Sequence, residues 1–137
     1  LHQPTRNLKK GGLAVFLLGT NDASDSPVRT LAEMQANVLS TITAVNALGK
    51  NHKILFLTPP PIGGSATQNT KTHDFSQWLL ATNLGANVTV SNIRSVLTAP
   101  SLTTWNLLLS NDGTFHLNEE GHLRVFDYLK ANNPELF

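Results

Sequence analysis

Two polar stretches of the sequence carry side chains suited to catalysis at a carbonyl group. Asp112 and His116 lie four residues apart in a turn that contains Gly113. A carboxylate so placed can hold one tautomer of an imidazole, while the other ring nitrogen acts as a base toward a nucleophile. Asn21 follows an apolar stretch, and its amide could donate to a developing oxyanion, a contact worth about 3–4 kcal/mol of barrier.

The apolar stretch ahead of Asn21 predicts the element that positions it. Residues 13–18, LAVFLL, are apolar without alternation, which is typical of a strand buried on both faces of a parallel sheet. Gly19 to Asp22 then predict a sharp turn, which Asp22 is expected to tie down. Open parallel sheets bind ligands at the carboxyl ends of their strands, so Asn21 is predicted to lie where chemistry usually occurs.

Further strands and helices alternate along the chain. Ser26 as N-cap, Pro27 as first residue and Gly49 as stop predict a helix over 27–48. Its predicted buried face recurs every three or four residues: Val28, Leu31, Met34, Val38, Ile42, Val45 and Leu48. Residues 54–58 predict a second strand. The prolines that end this strand indicate a rigid loop, with a pocket wall formed by Pro60, Pro61 and Ile62 as the alternative.

The second half of the chain carries weaker patterns. Residues 63–69 predict a polar connection, and Thr72 a helix cap, with Phe75, Trp78, Leu79 and Thr82 facing inward and Gly85 closing the helix. A third strand is predicted over 87–91, and a loop with a short helical piece over 92–111. Asn118 is expected to cap a last helix that buries Leu123, Phe126 and Leu129. His52 is expected to face solvent, and His73 and Asp74 to lie at a helix start.

This alternation predicts an α/β fold, a three-layer arrangement with a flavodoxin-like parallel sheet between helices. The 137 residues are predicted to form a single domain over 1–137 whose sheet has only three strands, so the domain is expected to be partial. Strand 13–18 is too apolar for an open edge. We therefore expect a further segment, in this protein or on another chain, to pair with it.

Gly19-x-Asn21-Asp22 after an apolar strand, with Asp112 and His116 ahead of the last helix, resembles the SGNH hydrolases, also called GDSL esterases and lipases. The strand ending in Thr58-Pro59-Pro60 and the phrase HLNEEGH are also similar. The resemblance implies a serine ester hydrolase with no cofactor, acting on short acyl esters or acetylated carbohydrates. It implies that Asn21 is an oxyanion donor, His116 the base and Asp112 its orienting carboxylate. The chain would supply strands 3, 4 and 5 of the family sheet.

Two departures from the family pattern leave an alternative open. The spacing from Asp112 to His116 is one residue longer than the family's D-x-x-H, so either the turn bulges or Asp112 meets the ring differently. The family's Gly-Asp-Ser block has no counterpart ahead of residue 13. Ser26 follows the wrong strand and is not predicted to be the nucleophile. The alternative is an inactive domain of the same fold that binds sugar or serves in assembly.

Composition excludes several other classes of protein. The net charge of +1 comes from scattered residues without a basic stripe, which argues against nucleic acid as a partner. The chain has no Cys, and no His, Asp or Glu set has metal-ligand spacing, so no metal site is predicted. No apolar run reaches the length of a membrane span. A nucleotide-binding domain is disfavoured because no Gly-rich loop opens a helix.

Overall fold

The computed structural model describes residues 11–24, 27–49, 51–63, 65–98, 109–110 and 116–137. The strands are β1 (Leu13–Leu17), β2 (Lys53–Leu57) and β3 (Val88–Ser91). The helices are α1 (Thr20–Ser24), α2 (Leu31–Ala47), α3 (Ala66–Ala81), α4 (Arg94–Leu97) and α5 (Glu119–Asn132), and a 3-10 turn over Pro134–Leu136 follows. The predicted α/β architecture with a parallel sheet flanked by helices is confirmed.

The three strands are parallel and lie in the order β1-β2-β3, so their carboxyl ends share one edge of the sheet. Within the described residues β1 pairs with β2 alone. Val15 and Leu17 are 49% and 51% exposed, so the prediction that this strand is buried on both faces is wrong for one face. That face lacks cover at β1, whereas Leu55 on the same face of β2 is buried.

The main core lies between the other face of the sheet and helices α2 and α3. Phe16 of β1 stacks on Phe56 of β2, with ring centroids 5.5 Å apart. The buried members of this core are Met34, Val38, Ile42, Val45, Ile54, Phe56, Phe75 and Leu79. On the opposite face, Ser91 Oγ at the end of β3 donates to Asn133 Oδ1 at 2.6 Å, which fixes the end of α5 there.

Helix α2 begins four residues later than predicted. Thr30 is its N-cap: Thr30 Oγ1 accepts from Glu33 N at 3.2 Å, and Glu33 Oε2 accepts from Thr30 N at 2.7 Å. The backbone N–H and the hydroxyl of Thr30 lower the pKa of the Glu33 carboxyl. This capping box outcompetes Pro27 as a start signal. Val28 and Leu48 are therefore outside the helix and exposed, contrary to the prediction, while Gly49 at φ +67° ends it as expected.

Helix α3 begins before the predicted cap and includes part of the segment predicted as a polar connection. Its N-cap is Ser65, whose Oγ accepts from Gln68 N at 3.3 Å. Thr72 lies inside the helix and is buried. Its hydroxyl tolerates burial because Oγ1 donates to Asn69 O at 3.0 Å. His73 accordingly lies in the helix interior rather than at its start.

His52 is buried at 1% exposure, so the expectation that it faces solvent is wrong. Its Nδ1 accepts from Gly12 N at 3.1 Å, which ties the residues before β1 to the start of β2. The imidazole therefore supplies an acceptor for a backbone N–H at the amino end of the sheet, while its Nε2 is buried without a partner among the residues described.

Helix α5 begins at the predicted cap but packs on a different face from the one predicted. Asn118 Oδ1 accepts from Gly121 N at 2.9 Å. Leu123 and Phe126 are 51% and 46% exposed, contrary to the prediction. The helix instead packs closely at Gly121, which is buried. Val125 of this helix belongs to a small second apolar cluster with Leu97, Leu109, Val96 and Leu117.

The packing at Gly121 predicts that Gly121→Ala destabilises the protein. A Cβ there would collide with the backbone oxygen of Leu109 and lie 2.9 Å from a methyl carbon of Leu117. Overpacking of this kind costs about 1–3 kcal/mol, whereas helix propensity alone would favour Ala by about 1 kcal/mol. Urea denaturation of the complete protein should show a lower free energy of unfolding. His122→Ala, at the exposed next position, is the control, and a stabilised Gly121→Ala variant would contradict the packing.

Candidate active site

An open cavity of about 620 Å³ lies at the carboxyl end of β1. Its lining comes from the end of β1 and the turn after it, from the loop after β2 and from the segment before α5. The lining residues are Leu17, Leu18, Gly19, Thr20, Asn21, Asp22, Ser24, Pro60 and His116. Two residues that are 95 positions apart in sequence, Asn21 and His116, therefore line one cavity. It lies where parallel sheets commonly bind ligands.

Gly19 makes the sharp change of direction between β1 and α1. Its φ of +105° lies in the left-handed region, which glycine adopts without a steric cost. The ring of Phe75 lies against it so closely that an added Cβ would be 2.8 Å from two ring carbons and 3.2 Å from the methyl carbon of Met34. Both the backbone conformation and the space therefore require glycine here.

Asn21 is presented to the cavity by the short helix α1. The helix begins immediately after Gly19, and Ala23 N donates to Gly19 O at 3.1 Å. The predicted turn over Gly19 to Asp22 is thus a left-handed bend that leads into a helical turn. Asn21 is exposed, and its side-chain amide has no hydrogen bond among the residues that the structure describes.

Asp22 lines the same cavity, and its backbone fastens the turn. Asp22 O accepts from Arg29 N at 2.9 Å, which joins the end of α1 to the segment before α2. Asp22 also lies in the first turn of α1, where a carboxylate is favourably placed toward the helix N-terminus. The main chain of Asp22 therefore fastens the turn, and its carboxylate forms no hydrogen bond among the residues that the structure describes.

His116 is exposed at the rim of the cavity, two residues before the Asn118 cap of α5. Its main chain is fixed on both sides: Ser110 Oγ donates to His116 O at 3.0 Å, and Ser110 and Leu117 form an antiparallel bridge. Asn118 N also donates to Leu109 O at 3.0 Å. Asp112, its predicted orienting carboxylate, lies outside the described residues, so the pairing of Asp112 with His116 stays a prediction.

Two hydroxyls in the cavity lining escaped the sequence analysis. Ser24 Oγ donates to Thr20 O at 2.9 Å, the back-bonding typical of a serine in a helix. Thr20 Oγ1 is buried and has no partner among the residues described. The spacing of four residues between Thr20 and Ser24 was the available signal for a helical contact. Ser26 lies outside the described residues.

The loop after β2 supplies an apolar wall. Pro60 lines the cavity together with Leu17 and Leu18, whereas Pro61 and Ile62, named with it as a possible pocket wall, are buried and are not among the lining residues. Within the described residues, no three His, Cys, Asp or Glu side chains come together as metal ligands would. Among the helices described, none combines the length and apolar character that crossing a bilayer requires.

The sequence profile of the GDSL-like lipase/acylhydrolase family matches residues 2–124. This chain belongs to that family. The match confirms the resemblance carried by Gly19-x-Asn21-Asp22 and by the segment before the last helix. No match was found among curated protein sequences.

Solved structures share the fold of this GDSL-like chain. An acylhydrolase from Bacteroides fragilis superposes with a TM-score of 0.75 at 18% identity, covering 90% of this chain and 62% of its own. A protein from Streptococcus pneumonia described as a platelet activating factor gives 0.71 at 23% identity, covering 88% and 59%. A carbohydrate esterase family 3 protein from Talaromyces cellulolyticus gives 0.66 at 19% identity, covering 90% and 57%. The chain thus spans about three fifths of these structures, and the likeness shows the shared fold.

The close packing at Gly19 predicts that Gly19→Ala is more harmful than Gly49→Ala. Both glycines have positive φ, +105° and +67°, but an added Cβ at Gly49 meets nothing within 4 Å. Gly49→Ala should cost about 1–2 kcal/mol of backbone strain. Gly19→Ala should cost about 1–3 kcal/mol more through overpacking on Phe75. Denaturation of the two variants measures the difference, and equal losses would show that Phe75 does not restrict this position.

Proposed function

We propose that this chain is the part of a serine ester hydrolase that carries the general base and one oxyanion donor. The observation that carries the proposal is that His116 and Asn21 line one cavity at the carboxyl end of β1. Membership of the GDSL-like lipase/acylhydrolase family supports the same chemistry.

In the proposed reaction a serine hydroxyl attacks the ester carbonyl carbon. His116 takes the hydroxyl proton and passes it to the departing alcohol, which leaves an acyl-serine. Water then attacks the acyl group, again deprotonated by His116, and releases the acid and the free serine. Asn21 Nδ2 donates to the carbonyl oxygen as it gains negative charge in both steps. Asp112 orients the imidazole through one ring nitrogen.

The serine is proposed to come from a segment that pairs with the edge of β1 opposite β2. Val15 and Leu17 support this, since each is about half exposed although apolar, on a strand with one partner among the described residues. The hydroxyl of Ser24 is an unsuitable nucleophile, because it already donates to Thr20 O. A segment seated on β1 would cover these side chains and end near the cavity.

The proposed substrate is an ester with a short acyl group, such as an acetylated carbohydrate. The cavity of about 620 Å³ is open, and Leu17, Leu18 and Pro60 give it an apolar wall beside the polar groups. One structure of the same fold is a carbohydrate esterase family 3 protein. An apolar wall next to an oxyanion donor suits a small acyl group, while the open side can admit a sugar.

Replacement of His116 by Ala should abolish turnover of p-nitrophenyl acetate by the complete protein. His122→Ala is the matched control, because His122 is exposed six positions later in α5 and does not line the cavity. Asn21→Ala should lower kcat by about 10²–10³ with little change in KM, as expected for a donor that acts in the transition state. Full activity of His116→Ala would remove this residue from the mechanism.

A fluorophosphonate probe tests where the nucleophile lies. We expect the complete protein to be labelled on one serine outside residues 11–137, identified by peptide mapping, with labelling lost in His116→Ala. Labelling of Ser24 or Ser26 would contradict the origin of the nucleophile proposed here. No labelled serine would favour the alternative, a domain of this fold that binds sugar without catalysis.

A further inference from the structure

Arg94, the first residue of α4, is a buried cation. The residue is 3% exposed, and no carboxylate forms an ion pair with it among the described residues. Burial lowers the pKa of its guanidinium to about 10, so the side chain is still charged at neutral pH. Burying a charge costs free energy unless hydrogen bonds compensate it. The hydrogen bonds of this guanidinium therefore indicate its role in the structure.

The guanidinium of Arg94 donates to two structural elements at once. Its Nη2 donates to Asn69 Oδ1 at 2.7 Å, and its Nη1 donates to Thr72 Oγ1 at 3.1 Å, both in α3. Nη1 also donates to Pro59 O at 3.4 Å in the loop after β2. The planar fork of an arginine can reach such separate acceptors together, whereas the point charge of a lysine cannot.

The loop that Arg94 contacts cannot hold itself in place by backbone donors. Pro59, Pro60 and Pro61 are consecutive and lack N–H groups. The first N–H after them, Ile62 N, donates to Asn69 Oδ1 at 3.1 Å, the same oxygen that accepts from Arg94. The loop is thus fastened at both ends by one buried network, and its middle residue, Pro60, lines the candidate active site.

We propose that Arg94 is a positioning residue that holds Pro60 in the wall of the cavity and thereby limits the size of the acyl group that the site accepts. Its direct bond to Pro59 fixes one end of the loop, and its bond to Asn69 orients the acceptor for Ile62 at the other end. The part about acyl size rests on the ester hydrolysis proposed above. The anchoring of the loop does not, and it can be measured without any turnover.

Arg94→Lys in the complete protein is the primary test, with hydrogen–deuterium exchange as the first readout. A peptide covering 59–63 reports only the amides of Ile62 and Gly63, since the three prolines carry none. We expect exchange at Ile62 to become about tenfold faster, as the loss of a charge-assisted bond predicts. Asn87→Ala is the control: Asn87 Nδ2 donates to His52 O at 2.9 Å at the amino end of the sheet, far from this loop.

The second readout is acyl selectivity. For p-nitrophenyl acetate, butyrate and octanoate, Arg94→Lys should keep kcat for acetate, because Asn21 and His116 are untouched. The preference in kcat/KM for acetate over octanoate should fall by about tenfold, the scale on which apolar pockets discriminate between chain lengths. Asn87→Ala should leave the preference unchanged, whereas a merely structural role of Arg94 would lower all three rates together.

The outcomes separate the two proposals. Ile62 exchange at the wild-type rate in folded Arg94→Lys, or equally fast exchange in Asn87→Ala, overturns the positioning role. Faster exchange with unaltered acyl preference overturns the part about acyl size. A wild-type protein without esterase activity overturns the proposed function, while the exchange result still decides the anchoring.

If Arg94→Lys does not fold, a pair of variants at Asn69 tests the acceptor that Arg94 and Ile62 share, without which Arg94 could not act on Ile62. Asn69→Asp keeps an oxygen that can accept from both Arg94 and Ile62, and Ile62 should remain protected. Asn69→Ala removes that acceptor, and Ile62 should exchange about tenfold faster. Equal exchange in the two variants overturns the proposal.

Discussion

The contact between Gly19 and the ring of Phe75 joins the end of β1 to helix α3, and the placement of the candidate site depends on it. The left-handed φ of Gly19, +105°, ends the strand and starts α1 within one residue. Phe75, which is 1% exposed, leaves no room for a side chain there. Asn21 is therefore presented to the cavity by a turn whose glycine packs against a buried ring. If Asn21 is the oxyanion donor proposed above, this packing favours a donor that is already in place before charge develops.

A second constraint is that all three strands are parallel, since their carboxyl ends then share one edge. This brings together the turn after β1, the proline loop after β2 and the segment after β3 that contains Arg94. The three prolines of this loop lack backbone N–H donors. The buried guanidinium of Arg94, in the third segment, donates to the carbonyl oxygen of Pro59 instead. The proline loop that forms one wall of the cavity and the turn that carries Asn21 are thus held in place by different elements.

The sheet and the edge that holds the candidate site could be predicted from sequence because strand patterns and glycine signals are local. The apolar runs at 13–18 and 54–58 agree with β1 and β2 to within one residue. The sharp turn that begins at Gly19 and the Asn118 cap were likewise predicted from the residues beside them. Asn21 and His116 were singled out by residue type, and the parallel topology explains why positions so distant in sequence line one cavity. The pairing of Asp112 with His116, by contrast, lies outside the described residues.

What the sequence could not supply depends on tertiary partners. The polar residues at the start of α3 are typical of a loop in sequence. In the structure Arg94 donates hydrogen bonds to Asn69 and Thr72, and these polar side chains can therefore be buried in a helix. The face of α5 is decided by the close approach at Gly121, a preference that apolar periodicity does not contain. His52 is buried because Gly12 N finds an acceptor in its ring. In each case the prediction assumed the usual environment of a polar or small residue. A specific tertiary contact gives that residue a different environment in the structure.

The most direct measurement of the central claim is a crystal structure of the complete protein after reaction with a phosphonate inhibitor. The account predicts that Asn21 Nδ2 donates to the phosphonyl oxygen and that a ring nitrogen of His116 lies near the attacked serine oxygen, each at about 3 Å. An adduct in which either side chain points away from the phosphorus centre would contradict it, because one carbonyl could then not be addressed by both groups.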